Sequence, residues 1–178
     1  MIDEKSNLTT IDALIQRKQP FAVYRVPGEK YPRLLTEDVG AVRLIFDLKE
    51  LNGQRGFVIA PFRPNETCPI LLIQSNGPGQ PLLLADDADA VPRDIPSTDY
   101  PSCSEEYAEC FRTFISALRD KTFEKLVLSR KLTIGKPSAF SPSLAFRAAC
   151  QRYIHSYIYL CYTPQTGIWL GSTPEIIL

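Results

Sequence analysis

Histidine is almost missing from this sequence, and so are the spacings that build most nucleotide and metal sites. His155 is the single histidine in 178 residues, so a His-dependent triad would have to be assembled on it. It lies among large residues that read as strand, where the simpler role is structural. No GxGxxG, HExxH, GxSxG or GxxxxGK followed by Ser or Thr occurs, which removes nucleotide cradles and zinc proteases. Net charge is also absent: twenty Lys and Arg balance twenty Asp and Glu, so neither a nucleic-acid backbone nor an anionic membrane has an electrostatic footprint to meet. The cysteines at 68, 103, 110, 150 and 161 are odd in number and form no CxxC pair. That argues against a disulfide framework or zinc knuckle and for a reducing cytoplasm. Met1 to Lys5 lacks the basic start and apolar run of a signal peptide. The longest uncharged stretch, 153–174, carries His155, Gln165, two glycines and two prolines, which a bilayer would leave unsatisfied.

What is present is the composition of a packed domain, 44% apolar and 22% charged, at a length that fits one domain with one core. Leu8, Ile11, Leu14 and Ile15 are spaced for one face of a short helix over 7–18, with Thr9 or Thr10 as caps and Pro20 as the stop. Residues 21–26, 56–62 and 69–74 are apolar runs bounded by turn formers and read as strands. The stretch 75–101, with seven prolines or glycines, reads as a long surface connection. Ser102 and Glu105 make a capping box ahead of Tyr107, Phe111, Phe114, Ile115 and Leu118 at helical spacing. The alternation of 125–134 (KLVLSRKLTI) predicts a strand. Ser141-Pro142 opens a second helix running to about Tyr153, and Ile154–Tyr162 followed by 168–171 makes a hairpin. Glu175 to Leu178 reads as the start of a buried strand, which suggests the front part of a longer protein.

Few residues offer chemistry. Asp86, Asp87 and Asp89 carry oxygen ligands for a divalent cation, but a proline-flanked acidic cluster is ordinarily a solvated loop. Lys125 opens the expected strand facing the same way as Val127, which would half-bury its amine. Glu175 follows Ser172-Thr173-Pro174 and precedes three apolar residues, which would half-bury its carboxyl. Desolvation lowers an amine pKa and raises that of an acid, so such a pair becomes a base and an acid usable near neutral pH. Each residue is more often an ordinary charge at a strand end.

Two segments carry a resemblance. FEKLVLSRKL at 123–132 and TPQTGIWLGSTPEIIL at 163–178 resemble the chorismate-utilising enzymes, specifically isochorismate synthases of the menaquinone and siderophore pathways. The fifty-residue separation of Lys125 and Glu175 also matches that family, and GFVIAPF at 56–62 is similar to its front half. The resemblance implies an α/β fold of the α+β type, with antiparallel sheets packed together and helices outside. Residues 1–178 would then be the N-terminal part of one chorismate-binding catalytic domain, with a less conserved front, 1–101, a motif-bearing part, 102–178, and an incomplete C-terminus.

The roles carried over are Lys125 as general base and Glu175 as general acid, with Gly171, Ser172 and Thr173 shaping the substrate pocket. For Ser172 a tight turn that positions the strand explains the residue equally well. The family adds water at C2 of the chorismate ring while the C4 hydroxyl leaves. Relatives that use ammonia carry no lysine at the Lys125 position, so lysine there favours water. Magnesium is implied as cofactor, with its glutamate ligands in a second half of the domain and no metal site within these residues, so the 178-residue chain alone is expected to be inactive or nearly so. Chorismate is the expected partner, with no nucleic acid and no membrane. Salicylate synthase, aminodeoxychorismate synthase and a non-catalytic domain that binds a partner through a sheet edge left open at Leu178 stand as alternatives.

Overall fold

The computed structural model describes residues 6–36, 42–83, 105–131, 133–136, 138 and 140–173. It is a mixed, antiparallel α+β structure. The chain divides into two compact units, Met1–Val91 with Ser141–Leu178, and Pro92–Phe140.

The first unit holds α1 (Ser6–Gln16), β1 (Phe21–Arg25), β2 (Arg33–Thr36), β3 (Arg43–Ile45), a 3-10 turn (Leu48–Leu51), β4 (Gly56–Ile59), β5 (Ile70–Gln74) and β6 (Gln80–Pro81). After the second unit's helix α2 (Glu105–Arg119) it resumes with α3 (Pro142–Arg152), β7 (Tyr157–Thr163) and β8 (Gly167–Thr173). One sheet runs β6-β2-β1-β7-β8 and the other β3-β5-β4, with antiparallel pairing throughout.

Strand alternation sorts the core into layers. In β1, Phe21 and Val23 join Ile158 and Leu160 of β7 under Ile11 and Leu14 of α1 and Phe146 and Cys150 of α3. Ala22 and Cys161, one residue out of phase, pack with Leu35 against Leu71 and Ile73 of the smaller sheet. The far face of that sheet buries Ile45, Ile70 and Leu72, with Leu51 of the 3-10 turn packed on them. Helices, five-stranded sheet and three-stranded sheet thus form three layers. β5 is buried on both faces, as a continuous ILLI run requires.

The helix ends follow from local chemistry. Ser141 caps α3 by accepting the Leu144 N–H at 3.2 Å, and Pro142 fills the first turn, where a missing N–H costs nothing. Asp12 of α1 accepts from the Ser143 hydroxyl at 2.7 Å and the Ser141 hydroxyl at 3.0 Å, which brings a carboxylate to the α3 N-terminus. α1 starts at Ser6, so Thr9 and Thr10 lie inside it rather than capping it. Its C-terminus closes on Lys18 in the left-handed region (φ 55), with the Gln19 N–H returning to the Leu14 carbonyl at 2.9 Å.

The chain enters β7 later than the apolar pattern predicts. Arg25, buried, donates to the carbonyls of Cys150 and Tyr153, each at 2.6 Å. It also reaches the Ser156 carbonyl at 3.5 Å, while the Ser156 N–H turns back to Tyr153 at 3.1 Å. These bonds hold 153–156 as a helix exit, so the strand begins at Tyr157 and His155 sits exposed in a turn instead of within a strand. Within 75–101, β6 pairs with β2 and Tyr24 donates to the Pro78 carbonyl at 2.9 Å. The Asp86, Asp87 and Asp89 cluster and Ser102 lie outside the described residues.

Candidate functional site

The second unit carries Lys125. α2 ends in the same manner as α1, with Lys121 at φ 53 and the Thr122 N–H bonded to the Ala117 carbonyl at 3.0 Å. The chain then leaves as an extended segment that belongs to no strand, and Lys125 is exposed on it. The strand expected over 125–134 is therefore absent from the described residues there, and with it the burial expected for the Lys125 amine. Period-2 alternation says only which side chains could share a face, whereas a strand forms when a neighbour takes up its hydrogen bonds. Among the described residues nothing pairs with this segment, and Val127 is 77% exposed. On this segment the Arg130 guanidinium lies 5.9 Å from the Tyr107 ring centroid. On α2, Tyr107 stacks with Phe111 at 6.5 Å between centroids.

The first unit carries Gly171, Ser172 and Thr173, consecutive in β8. Their partners in β7 are Tyr159, Ile158 and Tyr157 respectively. Because side chains opposite one another share a face, Gly171 and Thr173 lie on the side of Tyr159 and Tyr157. Ser172 lies on the opposite side with Ile158, whose neighbours are the helices. The three residues do not converge on one surface. Gly171 has a packing reason to be glycine, since a Cβ there would run into the Tyr159 ring. Glu175 lies outside the described residues.

Beside Gly171 and Thr173 stands an aromatic group that no linear pattern marked. Tyr24 meets Tyr157 at 5.8 Å and Phe57 at 6.5 Å, Phe57 meets Tyr159 at 5.9 Å, and Tyr157 meets Tyr159 at 6.4 Å, all between ring centroids. The rings come from β1, β4 and β7, so they bridge the two sheets. The available signal was the Tyr157–Tyr159 alternation, but its meaning depends on a register that only folding supplies. Burial pushes the Tyr157 hydroxyl up to about 12, which keeps it a neutral donor. Burial likewise pushes the Cys161 thiol, on the same face, up to about 11.

Among the described residues, no three His, Cys, Asp or Glu side chains stand close enough to hold a metal ion. No helix among them is long and apolar enough to cross a membrane. No family model, curated protein or solved structure matches this chain.

Proposed function

We propose that this chain carries the first part of an isochorismate synthase of the chorismate-utilising fold, acting on chorismate in the cytoplasm. The observation behind this reading is the ordered pair of segments, FEKLVLSRKL and TPQTGIWLGSTPEIIL, with Lys125 and Glu175 fifty residues apart. The antiparallel layers with helices on one face are compatible with it.

In this reading neutral Lys125 takes a proton from water as the oxygen bonds to C2 of the ring. The ring double bonds shift, and protonated Glu175 delivers a proton to the C4 hydroxyl, which departs as water. One water enters and one leaves, so the product is an isomer of the substrate. Lys125 stands in solvent on its own unit, and the reaction requires that bound substrate exclude water around it, because a neutral amine is favoured by desolvation. The resemblance gives Gly171, Ser172 and Thr173 a part in shaping the pocket, Gly171 and Thr173 from the aromatic face of β8 and Ser172 from the other. Magnesium is supplied in the assay; among the described residues no three His, Cys, Asp or Glu side chains stand close enough to hold it.

The experiment is chorismate turnover in heavy-oxygen water by the full-length protein from its source, with magnesium present and products resolved by mass spectrometry. An isomer of chorismate carrying one heavy oxygen, without pyruvate, is the expected product. Pyruvate release would move the reading to salicylate synthase, and absence of label from the isomer would overturn water as the nucleophile.

A further inference from the structure

Arg25 is a buried cation with no carboxylate partner among the described residues. Carbonyls alone take up its charge. Nη1 donates to Cys150 at 2.6 Å, and Nη2 donates to Tyr153 at 2.6 Å and Ser156 at 3.5 Å, while Nε has no hydrogen bond among the described residues. Cys150 stands in the last turn of α3 and Tyr153 caps it. Two of the three acceptors are therefore carbonyls at a helix C-terminus, where the helix leaves them unpaired and its dipole favours a cation. A lysine would bring one ammonium there, whereas the guanidinium fork aims two nitrogens at separate carbonyls in fixed directions.

We infer that Arg25 is a positioning residue: by pinning the exit of α3 it fixes the open end of the β7–β8 hairpin, where Ser172 and Thr173 stand and from which the chain continues to Glu175. The inference rests on the reading of those three as site residues. Register places Arg25 at that end. Arg25 lies opposite Ile158, and Ile158 opposite Ser172, so the three form one row across β1, β7 and β8. In the next row Tyr157, the first residue of β7, pairs with Thr173, the last of β8. Ser156, whose carbonyl Arg25 reaches, directly precedes Tyr157. The two ends of the hairpin are thus held in different ways. At the turn, the Thr163 and Thr166 hydroxyls meet at 2.8 Å and the Thr166 N–H donates to the Thr163 hydroxyl at 3.1 Å, so that end is closed by its own residues. The open end has no turn to close it, and Arg25 supplies its fixed point from more than a hundred residues away.

Hydrogen exchange of the full-length protein, followed residue by residue, tests the anchor, with circular dichroism confirming that each variant is folded. In Arg25→Met the paired amides of 157–159 and 171–173 should exchange at least about tenfold faster, while those of 161–168 near the turn keep their rates. Arg25→Lys keeps the charge without the fork, and its rates should fall between those of Arg25→Met and the parent. Acceleration spread evenly along the hairpin, or none at the open end, would overturn the inference. Chorismate turnover is the second readout. Arg25→Met should lower kcat by at least about tenfold under conditions where it is fully folded, with part of the loss restored in Arg25→Lys. A loosened open end with undiminished turnover would overturn the positioning role. A parent protein that converts no chorismate would overturn the chorismate reading and not the anchor, which the exchange rates decide by themselves.

Discussion

Gly171 is the residue whose sequence reading and structural reading differ most usefully. The resemblance makes it a pocket residue, and the fold makes it the floor on which the Tyr159 ring rests. The ring belongs to the aromatic group that Tyr24, Phe57, Tyr157 and Tyr159 form on that face. Gly171→Val forces that ring aside and overpacks the site, and it should lower stability by about 1–3 kcal/mol, read as a reduced midpoint in urea unfolding. Unchanged stability would show that the ring does not rest there. The thiols give a second residue-scale expectation. Burial holds Cys150 and Cys161 each at about 11, so both should stay unlabelled by iodoacetamide in the folded chain at neutral pH, while exposed Cys68 and Cys110 react. Peptide mapping checks this, and early labelling of Cys161 would contradict the packing between the sheets.

At the scale of elements, α1 and α2 end where the backbone turns left-handed, and lysine occupies both of those turns. Lys18 and Lys121 adopt positive φ after α1 and α2, a conformation that costs an L side chain but not glycine. Lys18→Gly and Lys121→Gly should therefore each stabilise their unit by about 0.5–1 kcal/mol, visible as raised thermal midpoints; a loss of stability would mean that the side chains make contacts outweighing the strain. The same scale shows what the sequence could disclose. Ser141-Pro142 announced α3 because capping is local, and 21–26 and 69–74 announced β1 and β5 because a buried run between turns has few other uses. The strand expected at 125–134 failed because alternation carries no information about who supplies the partner strand. β7 starts later than the apolar run at 154–162 implies because the carbonyls of Tyr153 and Ser156 accept from Arg25, which lies more than a hundred residues away. For the site, Lys125 and Glu175 were legible as motif positions, whereas the rings of Tyr24, Phe57, Tyr157 and Tyr159 were not, since three separate strands bring them together.

For the molecule as a whole, the first unit holds buried groups on α3 and β7 that resist ionisation. Cys150, Cys161 and Tyr157 hold their protons to about 11, 11 and 12 when folded, against ordinary values of 9.0 for the thiols and 10.0 for the phenol. Once unfolded they release those protons earlier, so above pH 9 the unfolded chain binds fewer protons and stability falls as pH rises. Their contribution should be complete below pH 9 and lost progressively between about pH 9 and 12. Thermal melts in that range should show the descent, with Cys161→Ala removing its share of the slope; a flat profile would contradict the burial of these groups. The layered architecture explains why such loss would be cooperative, because Cys161 and Ala22 sit in the seam between the sheets.

The pairing of Lys125 and Glu175 on chorismate is the proposal on which the function rests. Its most direct test compares the full-length protein with its Lys125→Ala and Glu175→Gln variants in a chorismate assay with magnesium, following the product by chromatography and mass. Isochorismate is expected from the parent protein, with a loss of at least about a hundredfold in turnover from each variant, the range removed with a general acid or base. Turnover surviving in Lys125→Ala, or no conversion of chorismate by the parent protein, would contradict it.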